Sequence, residues 1–80
     1  MKNTRVESTR MISAGHCLVR VVRDNYSRKS PYHMTSQTIW EYTLTDMPTY
    51  DAYKNGSRNA EKHLIHLCKW WGYKTIEKYA

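Results

Sequence analysis

Eighty residues, 40% apolar and 25% charged, bound this chain to one small domain spanning residues 1–80, because a second core would leave each half too short to fold. The formal net charge is +6, and no apolar run exceeds the three residues Cys17, Leu18 and Val19. Those features exclude a transmembrane helix, a signal-peptide core and a disulfide scaffold, so a cytoplasmic protein with Cys17 and Cys68 as free thiols is expected. Lys2 and the final Lys78-Tyr79-Ala80 match no lipid-attachment signal.

Taken in chain order, Thr4–Ile12 interleaves Thr, Val, Ser and Ile with Arg and Glu and predicts an edge strand that turns at Ser13-Ala14-Gly15. His16–Arg23 alternates strictly. Cys17, Val19 and Val21 take the core face, while His16, Leu18, Arg20 and Val22 take the other, and Arg23 shares the core face at the strand end. Asp24–His33 then reads as a ten-residue polar loop centred on Ser27-Arg28-Lys29-Ser30-Pro31. The next strand is Met34–Leu44, with Met34, Trp40, Tyr42 and Leu44 facing the core.

Thr45–Gly56 reads as irregular, with Thr49 capping a single helical turn that bears Tyr50 and Tyr53. Ser57 caps a longer helix, in which Ala60, Leu64, Leu67, Cys68 and Trp71 form one apolar stripe, with Ile65 on its flank. Glu61 near its start and Lys69 near its end both carry the sign that the helix dipole favours. Gly72 suits a left-handed position after the last turn, and Tyr73–Tyr79 predicts a returning strand. The expected fold is α+β: three or four mostly antiparallel strands packed on one face by a single long helix, in the order β-β-β-α-β. An exposed edge strand in such a sheet would also permit dimerisation by sheet extension.

No catalytic or cofactor signature accompanies these elements. His16 and Cys17 project to opposite sheet faces, Cys68 lies roughly 160° around the helix from His66, and no Cys-x-x-Cys pair seeds a tetrahedral site, so no metal site is expected. The buried cysteines lack the exposed, electropositive setting a nucleophile needs, and no phosphate-cradling glycine loop or paired-carboxylate spacing is present. The expectation is a non-catalytic protein without cofactor.

Charge and aromatics point to binding. Residues 1–29 hold seven basic side chains against two acidic ones, while the rest of the chain is nearly neutral. Five of the six arginines lie in that first segment, and arginine suits bidentate contacts to phosphate or carboxylate. Seven Tyr, three Trp and no Phe give every aromatic a polar handle, which fits surfaces that meet a partner. The candidate contact residues are Arg10, Arg20, Arg23, Arg28, Lys29, Tyr26, Tyr32 and Trp70. The composition, rich in Asn, Lys, Tyr and Thr, resembles that of small proteins of phages and mobile elements that act on host machinery. The partner expected on that basis is an acidic host protein surface or nucleoprotein complex, engaged as an inhibitor or modulator. The alternative is a nucleic acid laid on a basic sheet face and loop made by the same arginines and tyrosines.

Overall fold

Period-2 alternation in the first half of the chain produces three long strands, and a 3.6-residue period in the second half produces the main helix. The computed structural model describes residues 3–29 and 32–79, so Lys2, Ser30, Pro31 and Ala80 lie outside the described residues. The elements are β1 (Thr4–Ser13), β2 (His16–Tyr26), β3 (Met34–Leu44), α1 (Met47–Lys54), α2 (Arg58–Trp71) and β4 (Tyr73–Lys78). The strands form one antiparallel sheet in the order β1-β2-β3-β4. The class is α+β as expected, but with two helices in the order β-β-β-α-α-β where one was predicted.

The second helix comes from Asp46. Its Oδ1 accepts from the Thr49 backbone N–H at 3.3 Å and its Oδ2 from the Thr49 hydroxyl at 2.7 Å, so Asp46 rather than Thr49 is the cap. Pro48 occupies the first turn, where its missing N–H costs nothing. Those two hydrogen bonds from Thr49, the hydroxyl's first, hold the Asp46 carboxyl below the usual aspartate range. In α2 the Ser57 hydroxyl accepts from the Ala60 N–H at 3.2 Å, as the sequence predicts.

The polar loop is shorter than expected because β2 continues through Asp24, Asn25 and Tyr26. Cross-strand hydrogen bonds replace apolar packing there: Asn25 Nδ2 donates to Ser36 Oγ at 3.1 Å and Thr38 Oγ1 at 3.0 Å, and Gln37 Nε2 donates to Asp24 Oδ1 at 2.8 Å. An eleven-residue strand spans about 36 Å, so β2 and β3 set most of the molecule's 44 Å long dimension.

The main core lies between the sheet and α2. Cys17, Val19, Val21, Trp40, Leu44, Leu64 and Cys68 form it, with Val6, Tyr42, Met47, Tyr50, Tyr53, Ile65 and Leu67 packed around. Cys17 and Cys68 do share this interface, both as free thiols. Trp71, placed in the apolar stripe by helical angle, is largely exposed because the helix ends there.

Gly72 differs from expectation in an instructive way. Its φ is −80° with ψ 166°, ordinary extended backbone. The requirement is closeness: a Cβ there would meet Cys68 O at 2.4 Å and Glu41 O at 2.8 Å, both backbone atoms that cannot swing aside. Gly15, at φ +75°, is the position where the β1–β2 turn needs a left-handed residue.

Candidate binding surfaces

Antiparallel pairing fixes which strand residues share a face, and that geometry divides the predicted contact residues into three groups. Arg10 and Arg20 lie on the face that carries no helix, together with Arg5. Tyr26, Arg28, Lys29 and Tyr32 gather at the β2–β3 tip. Arg23 and Trp70 lie on the helix side, so Arg23 does not join Arg10 and Arg20 in a common face.

On the open face Arg5 and Arg20 have carboxylate neighbours. Arg5 Nη1 donates to Asp24 Oδ2 at 2.7 Å. Arg20 Nε stands 2.9 Å from Glu7 Oε1, at an angle that makes a charge contact and leaves the buried N–H without a hydrogen-bond acceptor. Glu7 is free to reach Arg20 because a bulge between Val6 and Ser8 lifts it out of the ladder. Glu41 sits directly opposite Arg20, and Glu77 opposite Gln37. Three guanidinium groups therefore face four carboxylates, and this face is not basic. A hydrogen-bond chain crosses it from Arg5 to Asp24 to Gln37, and then to Tyr79, whose hydroxyl donates to Gln37 Oε1 at 3.3 Å. Gln37 and Arg5, in that order, hold the Asp24 carboxyl below its ordinary range.

The tip is different. Tyr32 is 93% exposed, Tyr26, Arg28 and Lys29 are exposed beside it, and the turn is tied by Ser27 N–H to His33 O at 3.0 Å and Lys29 N–H to Ser27 Oγ at 3.2 Å.

On the helix side two cations lie over one indole, and a third residue of the same sign is paired with it across the ladder. Arg23 lies 5.4 Å and Lys69 5.7 Å from the Trp40 ring centroid, and Lys74 is the direct cross-strand partner of Trp40. Trp70 and Trp71 stand nearby on the same helix, 70% and 66% exposed, and the His66 ring contacts both, with centroids 5.8 and 6.0 Å away. Lys69, Lys74 and Trp71 were not among the sequence candidates. Lys69 was legible as a flank residue of the helix, but the pairing of Lys74 with the same tryptophan depends on the β3–β4 register.

The chemistry of the remaining groups is quiet. Burial alone pushes the Cys68 thiol up to about 12, and burial also raises Cys17, so neither is a thiolate near neutral pH. No group of three His, Cys, Asp or Glu side chains among the described residues could hold a metal ion. No helix among them is long and apolar enough to cross a membrane. Comparison with protein-family models, characterised proteins and solved structures gives no match, so the functional reading rests on these surfaces.

Proposed function

We propose that the chain is a non-catalytic cytoplasmic binding protein, an inhibitor or modulator of the phage or mobile-element kind, that docks on an acidic surface of a host protein or nucleoprotein complex through its basic N-terminal half. The observation that carries this reading is the β2–β3 tip, where two cations and two phenols project together. Tyr and Arg are the side chains that anchor interfaces, and the cross-strand network of Asn25, Ser36, Thr38, Asp24 and Gln37 stiffens the arm that presents them. A stiff arm lowers the ordering cost of docking. A narrow tip of this composition suits an acidic cleft. Nucleic acid on the open sheet face is the weaker reading, because Glu7, Asp24, Glu41 and Glu77 would face its phosphates.

The test is capture from nuclease-treated host lysate by the tagged protein, compared with the triple variant Arg28→Glu, Lys29→Glu, Tyr32→Ala and with Arg10→Glu on the open face. The expected result is one discrete acidic partner, lost with the triple variant and kept with Arg10→Glu. Equal capture by all three proteins would overturn the assignment of the tip.

A further inference from the structure

Two features of the helix side are not used by docking through the tip. The first is its charge: Arg23, Arg58, Lys62, Lys69, Lys74 and Lys78 project from α2 or from the helix side of the strands, against Glu61 on α2, Asp51 on the adjoining α1 and Asp46 at its cap. The opposite face, by contrast, carries an excess of acid. Among the described residues, Arg23, Lys69 and Lys74 have no carboxylate within 4.0 Å; Arg23 and Lys69 lie over the Trp40 ring, and Lys74 is paired with Trp40 across the ladder. Contacts with an indole face attract each cation modestly but do nothing to relieve their mutual repulsion. An anion seated among them would.

The second feature is that the most exposed indoles of the molecule adjoin this cluster in sequence and on the same layer. Trp70 and Trp71 end the helix that carries Lys69, each turned about 100° from the residue before it. Both rings contact His66, and their flat aromatic faces stay largely exposed on the layer that carries the cations. Lys62 lies two turns before Lys69 on the same side of α2, and Lys78 lies four residues beyond Lys74 on the same side of β4, which extends the cations into a track.

From this juxtaposition we infer that the α2–β4 side is a binding surface for single-stranded nucleic acid. Arg23, Lys69 and Lys74 hold one phosphate, Lys62 and Lys78 hold flanking ones, and Trp70 and Trp71 stack on bases. The chemistry favours a polynucleotide over an acidic polypeptide because negative charge and flat aromatic faces must be offered side by side, as each nucleotide does. It favours a single strand because a duplex buries its base faces. The surface stands apart from the β2–β3 tip, and its failure would leave docking through the tip intact.

The experiment is fluorescence anisotropy of labelled oligothymidylate of about 12 nucleotides titrated with the intact chain over a range of salt. A duplex of the same length and heparin serve as competitors. With about three phosphates neutralised, affinity falls with salt at a log–log slope near −2.1, and Lys62→Gln with Lys78→Gln, which hold the two flanking phosphates, reduces that slope by about 1.4. Trp70→Ala, at an exposed position, weakens binding roughly tenfold with the slope unchanged. Thermal melting of each variant confirms that it is folded, and Trp71→Ala provides a second stacking variant. Absence of binding at about 50 mM salt would overturn the proposal. So would a tighter duplex, charge-for-charge equal competition by heparin, or wild-type affinity in both tryptophan variants.

Discussion

On the helix side of the sheet, Cys17, Val19, Val21 and Leu44 are dry because α2 lies over them; on the open side Val22 is equally dry, 0% exposed, with no helix above it. Val22 and its cross-strand partner Ile39 are covered instead by neighbouring side chains on their own sheet face, among them Arg5, Arg20, Asp24 and Gln37. Long polar side chains can bury apolar surface under their stems while their heads stay wet. The same strands thus build a packed core on one face and a hydrogen-bonded canopy on the other. The contrast also separates the charges: ion pairs engage Arg5 and Arg20 of the canopy, whereas among the described residues Arg23, Lys69 and Lys74 on the helix side have no carboxylate within 4.0 Å.

Five substitutions and titration into acid and alkali test how deep that contrast runs. Leu64→Ala, in the covered core, should cost about 2–5 kcal/mol in chemical denaturation, enough to leave so small a domain largely unfolded. Gly72→Ala should cost about 1–3 kcal/mol, because the added methyl meets the Cys68 and Glu41 carbonyls and one backbone must shift. Val22→Ala under the canopy should cost about 1.6 kcal/mol, two buried methylene equivalents. A loss as large as that of Leu64→Ala would show that the open face is a second core.

Acid tests the canopy directly. The Asp24 carboxyl titrates lower in the folded chain than in the unfolded one, so its contribution to stability is complete above the ordinary aspartate value of about 3.9 and is lost as pH falls through the lower folded value. Denaturation midpoints followed into acid should decline over that window, and Asp24→Asn should flatten the decline. Asp46 adds a share with the same sign that Asp24→Asn leaves in place. Alkali acts on the core in the opposite sense. The raised Cys68 thiol keeps its proton while the unfolded thiol ionises near 9.0, so stability declines as pH climbs from there toward 12. The smallest effect belongs to Glu7→Gln, which leaves the Arg20 stem over Val22 in place: the half-exposed charge contact predicts a loss of at most about 1 kcal/mol, shrinking with added salt.

The strands and α2 were legible because burial on one face writes itself into sequence as a period. Cys17, Val19 and Val21 alternate, Ala60, Leu64 and Cys68 repeat every four residues, and all six are buried. The missed features are those in which polar groups satisfy one another. Asp24 and Asn25 have the composition of a turn, and only the partners Gln37, Ser36 and Thr38 across the ladder make them strand residues. Met47–Lys54 has no buried residue to give it a helical period, and its start depends on one aspartate cap. For the surfaces, linear charge placed the basic region in residues 1–29. Folding cancels part of it against Glu7 and Asp24 and brings Arg23 and Lys69, from distant segments, to the Trp40 ring.

The strand order β1-β2-β3-β4 follows chain order, and this bears on the path by which the sheet assembles. The first three strands form a meander joined by short turns, so their pairing can zip up through local closures, the fast route in folding. β4 reaches β3 only after both helices have been threaded between them, and all six of its residues remain exposed once it docks. The last strand to arrive should therefore be the first to leave, with β4 amides exchanging with solvent by a partial opening that spares β1, β2 and β3.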